Sequence, residues 1–243
     1  MIKRHLYNST LTKITWFIRR FGWKELLFKP LRTLFAPWIL RRLPRRQFQF
    51  RDHTLDYFYH PYNATWAGER IIEVSIAKSY LDAWAGKRIL EVGNVMSHYF
   101  PIQHEIVDKF EPGPNILNED ILRFNPSHTY DLILSISTFE HIGFDDDSGS
   151  ENSKIEEALQ KCRSMLKPEG LLIITVPLGY NPDLDRLIRE NRLNAVQKYY
   201  FVRTGATEWL ACDQATAFQH PYKSRFPYAN SLLIAEFSSA TVH

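Results

Sequence analysis

The chain has 243 residues, of which 44% are apolar and 14% aromatic. That is enough for one sizeable α/β domain with an added element, and too apolar for a globally disordered chain. Two cysteines, Cys162 and Cys212, exclude a disulfide framework and a cysteine metal cluster, and they suit a reducing cytoplasm. The net charge of +3 conceals an asymmetry: residues 1–50 hold twelve Lys/Arg against one acid, Glu25, for +11, which leaves −8 for the remainder. A basic arm on an acidic body points to an anionic partner.

In chain order, the first element is the arm itself, "ITWFIRRFGWKELLFKPLRTLFAPWILRRLPRR" at 14–46. Trp16, Phe17, Ile18, Phe21, Trp23, Leu26, Leu27, Phe28, Leu31, Leu34, Phe35, Trp38, Ile39 and Leu40 alternate with Lys and Arg. No apolar run approaches the roughly 20 residues of a membrane span, and no long apolar stretch leads to a small-residue cleavage site. Pro30, Pro37 and Pro44 are expected to divide the arm into short helical pieces. Basic, tryptophan-rich pieces of this kind suit a membrane interface. Packing of the same aromatics on the domain is the alternative. The expected organisation is a basic amphipathic extension over 1–55 and a globular domain over 56–243.

Residues 69–84 read as an amphipathic helix, with Ile72, Ile76, Tyr80, Leu81 and Trp84 at helical spacing and Gly86 beyond its end. Strand-like runs follow at 88–92, 104–108, 115–117, 130–137, 171–177, 197–203 and 231–237. Between them, 154–166 places Ile155, Ala158, Leu159, Cys162, Met165 and Leu166 on one helical face, behind a capping box of Ser153 and Glu156. Such β-α alternation predicts a doubly wound, mostly parallel, seven-stranded Rossmann-like sheet.

In such a sheet, ligands bind beyond the carboxyl ends of the strands. That rule nominates Glu91 to Ser97, Asp108 to Glu111, Glu119 to Ile121, Ser135 to His141, and Pro177 to Asn181. An acid at the end of the second strand can accept hydrogen bonds from ribose hydroxyls, which nominates Asp108. Gly93 lies only 15 residues before it, where about 20 are usual, and Pro101 shortens the intervening helix further. The loop "GNVMSHY" also has Asn94 and Met96 where further glycines would stand. A pyrophosphate needs bare amides at a helix N-terminus and close backbone approach, so a dinucleotide is a poor fit. A phosphate-free nucleoside cofactor needs less. Asp120 can accept an adenine amino group, with Ile121 against the ring. Ser135 and Ser137 are small and polar for a core strand, which suits backbone approach to a ligand. His141 can serve as a base near neutral pH.

The succession "RILEVG", "IVDK", "NEDI", "YDLILSISTFEHI" and "CRSMLKPEGLLIITVPL", covering residues 87–180, resembles the class I S-adenosylmethionine-dependent methyltransferases. The resemblance implies S-adenosylmethionine as cofactor, no metal, and a last strand antiparallel beside the fifth. It implies cofactor contacts from Glu91, Gly93, Asn94, Ser97, Asp108, Asp120, Ile121, Ser135 and Ser137. His141, Tyr180 and His98 are the candidate catalytic residues, with Asn181 beside Tyr180 on the acceptor side. The opening loop departs from the family pattern and is similar to a small subgroup with "GN" and "SHY" there, "YN-T-W-ER" upstream (62–70) and "PLGYNP" downstream (177–182). Asn94, Ser97 and His98 would replace contacts that bare backbone supplies elsewhere.

Methyl transfer to a small-molecule or glycan- or lipid-linked acceptor is therefore expected, in the cytoplasm and peripheral to the inner membrane face through residues 1–50. A non-catalytic protein retaining the fold is the alternative. A nucleic-acid methyltransferase ranks last, because no "DPPY"-like stretch follows the fourth strand and the arm lacks a flexible Lys/Gly-rich character.

Overall fold

The computed structural model describes residues 23–144 and 152–239, together with Ile18. It opens with a 20-residue helix, α1 (Trp23–Arg42). A hairpin follows, β1 (Gln47–Phe50) with β2 (His53–Asp56), then a 3-10 segment, Tyr62–Ala67, and helix α2 (Arg70–Ala83). The central sheet is built from β3 (Ile89–Val92), β4 (Glu105–Val107), β5 (Ile116–Leu117), β6 (Tyr130–Ile136), β7 (Leu166–Pro177), β8 (Gln197–Arg203), β9 (Trp209–Cys212) and β10 (Ser231–Ser238). Helices α3 (Asn152–Ser164), α4 (Pro182–Arg189) and α5 (Gln214–Ala217) complete the described elements.

The strand order is β5-β4-β3-β6-β7-β10-β8-β9. Neighbours from β5 to β7 pair in parallel, whereas β10 lies antiparallel between β7 and β8, and β9 is antiparallel on the far edge. The mostly parallel Rossmann-like sheet with an antiparallel last strand beside the fifth is thus present. It has eight strands where the sequence predicts seven, because β9 adds an edge.

Both faces of the sheet are covered, which is why its strands read as continuous apolar runs. Leu90, Val92, Ile133, Leu172, Ile174 and Leu233 face one layer with Ile155, Leu159 and Cys162 of α3 and Leu184, Leu187 and Ile188 of α4. Ile89, Leu132, Leu134, Ile173 and Ile234 face the other, against Ile71, Ile72, Ile76 and Tyr80 of α2 and Phe48 and Phe50 of β1. The expected extension over 1–55 therefore includes a hairpin whose aromatic side chains enter the core. Tyr57, just after it, donates its hydroxyl to Trp209 O at 3.0 Å and accepts from Trp209 N at 2.9 Å.

Three local expectations need correction. The chain does not break at Pro30 or Pro37: α1 runs through both. Both prolines are exposed and, seven residues apart, share one face, so the two missing intrahelical bonds fall on the solvent side. Strand β7 also starts five residues early, at Leu166. Its pairing jumps from Tyr130↔Leu166 to Leu132↔Leu171, so "KPEG" bulges out within it. Gly170 closes that bulge, where a Cβ would lie 2.9 Å from Tyr130 O. The expected α2 is one residue shorter at each end than the sequence reading. Residues 1–17 and 19–22, with Trp16, Phe17 and Phe21, lie outside the described residues, as does the Ser153 side chain of the expected capping box.

Candidate functional site

The carboxyl ends of β3, β4, β5, β6 and β7 lie side by side along one rim, and the nominated residues follow from them. Gly93 continues β3 with φ +86°, a conformation that favours glycine. Its amide donates to Val107 O at 2.9 Å, tying it to β4.

The rebuilt loop beyond Gly93 is organised from inside. Glu91 is fully buried, and its Oε1 accepts from the amides of Val95 (2.7 Å) and Met96 (2.8 Å). Its Oε2 pairs with His104 Nε2 at 2.8 Å. These amides open the short 3-10 turn Met96–His98, so a side-chain carboxylate occupies donors that a phosphate would need. Met96 and Val95 pack with Val74, Ala77 and Ile136, which makes Met96 a core residue. Ser97 Oγ donates to Asn94 Oδ1, so these two side chains pair with each other.

Asp108 extends past β4 and fixes the loop from its other side. Its Oδ2 accepts from the Asn94 amide at 2.9 Å, and its Oδ1 accepts from Phe110 N (2.8 Å) and Glu111 N (2.7 Å). One lone-pair direction of Oδ2 is left beyond these bonds. Asp120, past β5, accepts from Leu122 N at 3.0 Å and pairs with Lys109 Nζ at 2.8 Å. Partial burial acts to raise its pKa, but Lys109, the Leu122 amide and Arg123 outweigh that and hold it below the ordinary value. Ile121 is buried with Val92, Val107 and Phe124, beneath the strand ends.

On β6, Ser135 Oγ donates to Val92 O at 3.0 Å and stitches β6 to β3. Ser137 adopts φ +41°, uncommon for a residue with a Cβ. Its amide donates to Thr175 O at 2.8 Å and its hydroxyl to Glu73 Oε1 at 2.7 Å. The following 3-10 turn, Phe139–His141, presents His141, whose Nδ1 lies 3.0 Å from the Tyr180 hydroxyl. Tyr180 packs edge-on against His141 and Tyr222. Asn181 is engaged at both ends: Oδ1 caps α4 by accepting from Asp183 N and Leu184 N, and Nδ2 donates to Glu140 O.

His141 and Tyr180 are therefore brought together, and Gly93, Asn94, Ser97 and Asp108 form one connected loop. His98 has different company: its ring stacks on Tyr62 at 4.8 Å, and its Nε2 is 3.3 Å from Glu111 Oε1.

Sequence reasoning missed the buried charges behind the β6 turn. Glu73, from the first turn of α2, accepts from Ser137 and from Thr175 Oγ1 (2.5 Å) and is ion-paired with Arg70. Glu140 is 2% exposed, and its Oε2 has no hydrogen-bond partner among the described residues. Burial, offset in part by His141, pushes Glu140 up to about 7. Burial and the neighbouring Glu73 also raise Glu69. The only local signal was a charged triplet, Glu69, Arg70 and Glu73, entering the buried face of an amphipathic helix. No group of three or more metal-ligating side chains occurs among the described residues.

The strand order and the strand-end carboxylates define a doubly wound α/β protein with its candidate site at the carboxyl rim of the sheet. No family model matches the chain, and no curated protein matches it. Solved structures similar to it include the N-methyltransferase NodS from Bradyrhizobium japonicum with S-adenosyl-L-homocysteine, at 15% identity and TM-score 0.46, over 70% of this chain and 87% of that one. A TehB-like SAM-dependent methyltransferase from Corynebacterium glutamicum aligns at 18% identity and TM-score 0.40, over 69% and 87%. The sugar N-methyltransferase KedS8 from a Streptoalloteichus species aligns at 9% identity and TM-score 0.37, over 69% and 87%.

Proposed function

We propose that this protein transfers a methyl group from S-adenosylmethionine to a small polar acceptor, a glycan or a lipid-linked glycan. The observation that carries the reading is the rim itself: an obligate glycine at the end of β3 lies beside Asp108 at the end of β4, with Asp120 at the end of β5. The residues present fit a nucleoside cofactor without phosphates. Glu91 already holds the amides of Val95 and Met96, which disfavours a pyrophosphate, whereas Asp108 keeps an acceptor direction for a ribose hydroxyl. Asp120 and Ile121 would hold the adenine, and Asn94, Ser97 and the β6 end (Ser135, Ser137) would border the methionine part.

The cofactor supplies a methyl group already activated on its sulfonium. What remains for the protein is alignment and a place for the proton. Tyr180 orients His141 through Nδ1. With the proton on Nδ1 donated to the Tyr180 oxygen, Nε2, 3.7 Å from Glu140 Oε1, would take the proton of an acceptor hydroxyl or amine, and the carboxylate would stabilise the imidazolium that results. His98, held by Tyr62 and Glu111, would position the loop that carries Asn94 and Ser97.

The test is calorimetric titration with S-adenosylmethionine, repeated with Asp108→Ala. Saturable binding weakened about tenfold or more in the variant supports the reading. Absence of binding in the unmodified protein overturns it in favour of a non-catalytic protein with this fold.

The same reading locates the acceptor at an anionic bilayer. On α1, Trp23, Phe28, Leu31, Leu34, Phe35 and Trp38 are exposed, while Arg32, Ala36, Ile39 and Leu40 turn toward the domain. At 100° per residue the six exposed residues share one side, opposite the docked one. Arg42, 3.8 Å over the Trp38 ring, and Arg41 add basic charge at its end. No described helix is long and apolar enough to cross a membrane, so the helix would lie in the interface plane. Sedimentation with phosphatidylglycerol vesicles should be lost in the triple variant Leu34→Ser, Phe35→Ser, Trp38→Ser. Equal binding by that variant overturns the placement.

A further inference from the structure

Behind the β6 turn, one guanidinium, Arg70, pairs with Glu73 and lies in the field of two further carboxyl groups. Glu73 is ion-paired with Arg70 and hydrogen-bonded to Ser137 and Thr175. Glu69 and Glu140 both act electrostatically on the same Arg70. All three carboxylates issue from α2 or its N-terminal edge and from the turn 139–141, and the residue before that turn, Thr138, is the one that Gly93 abuts. Ser137, which joins the cluster to the rim, is held at φ +41°. Backbone in that region costs free energy and persists where the surroundings over-determine it, often at functional sites. Glu140 is the cluster's open end: it is almost fully buried, its Oε1 lies 3.7 Å from His141 Nε2, and its Oε2 is without a hydrogen-bond partner among the described residues. In a low-dielectric environment an incompletely compensated carboxylate acts over several ångströms on any nearby charge.

We propose that Glu140, backed by Glu69 and Glu73, is a specificity-determining residue that makes the site prefer the positively charged sulfonium cofactor over its neutral thioether product. This rests on the cofactor reading above. The substrate and product of methyl transfer differ at the sulfur by one methyl and one positive charge, so a surplus of buried negative charge separates them without any contact to the sulfur. Release of the spent cofactor then follows from the transfer itself, because loss of the methyl removes the charge the cluster attracts.

Glu140 is faced by His141 from its own turn, by Arg70 and Glu73 from α2, and, through His141, by Tyr180 from the segment after β7. With its carboxyl pushed up to about 7 by burial, it is largely protonated at pH 6 and ionised at pH 8. Preference for the cation is therefore expected to increase across that interval. By linkage, binding the cation displaces the proton, and binding the neutral thioether does so less.

The experiment is calorimetric titration of the full chain with S-adenosylmethionine and with S-adenosylhomocysteine at pH 6, 7 and 8. At pH 7 it is run in two buffers of different ionisation enthalpy, to count protons released. The expected result is a ratio of the two dissociation constants that moves about threefold or more toward S-adenosylmethionine between pH 6 and 8, with more proton release for S-adenosylmethionine. In Glu140→Gln both differences should vanish while both ligands still bind. Equal proton release and a pH-independent ratio in the unmodified protein overturn the inference while leaving the cofactor reading intact. So does a ratio that still moves in Glu140→Gln. No binding of either ligand removes the cofactor reading and this inference together. If the variant does not fold, the comparison on the unmodified protein decides alone.

Discussion

Gly93 and Thr138 are packed against each other with no room between them: a Cβ on Gly93 would overlap Thr138 Oγ1 and lie 3.0 Å from its Cγ2. The contact joins the loop after β3 to the turn after β6, the two segments that border the candidate site. Gly93→Ala is penalised twice, by this overlap and by φ +86°. The variant should lose about 2–4 kcal/mol in urea unfolding. Adding Thr138→Ala should restore only the steric part, because the backbone conformation is unaffected. Full restoration would mean that the positive φ carries no cost.

Glu91 and His104 define a second dependence, this time of the loop on the strand beneath it. Glu91→Ala removes the acceptor for two buried amides and the partner of His104. A loss of about 3 kcal/mol or more is expected. Amide exchange should show it locally, with Val95 and Met96 losing protection before β6 does. Uniform loss across β3 and β6 would argue that the loop has no stability of its own to lose.

How much of this was legible in the sequence depends on how local each cause is. Strands β3, β6 and β10 were readable because burial on both faces produces unbroken apolar runs such as "DLILSI" and "SLLIAEF". Asp108 and Asp120 were readable because strand ends can be located from those runs. Strands β1, β2 and β9 were not, since each has four residues with exposed positions, and Trp209 is held by Tyr57 from 152 residues away. The loop "GNVMSHY" was legible as rebuilt, but the rebuilding agent, Glu91, stands within the preceding strand. Likewise Glu73 meets Ser137 across 64 residues and Thr175 across 102, with nothing local to announce either contact.

Above about pH 4 the pH dependence of stability takes its sign from buried acids, Glu140 and Asp185, with Glu69 acting in the same direction. Burial pushes Glu140 up to about 7 and Asp185 up to about 6, the latter opposed by the Gly179 amide and Arg189. An unfolded carboxyl titrates near 4. Between about pH 4 and each folded value the native state therefore binds more protons than the unfolded one, so stability falls as pH rises through that window. Chemical denaturation at pH 5 and pH 8 should show the decline. Asp185→Asn should recover about 1–2 kcal/mol at pH 8 and nothing at pH 4, a figure lowered because the group is partly exposed. A gain of equal size at both pH values would assign the effect to something other than ionisation.

Whether the β1–β2 hairpin belongs to the globular body can be decided at Tyr57. Its hydroxyl both donates to Trp209 O and accepts from Trp209 N, so it closes a gap between the hairpin's exit and the edge strand β9. Its ring stacks on Phe48 at 5.2 Å, and Phe48 in turn meets Phe201 edge-on at 6.0 Å. Tyr57→Phe keeps the ring packing and strands two backbone groups of a residue that is almost fully buried. Each such group costs about 1–3 kcal/mol when left unsatisfied. The expected outcome is a loss of about 2 kcal/mol or more in a single cooperative transition, followed together by tryptophan fluorescence and far-ultraviolet dichroism. A separate early transition, leaving the main one unmoved, would instead make residues up to 56 an appendage that docks on a body already stable without it.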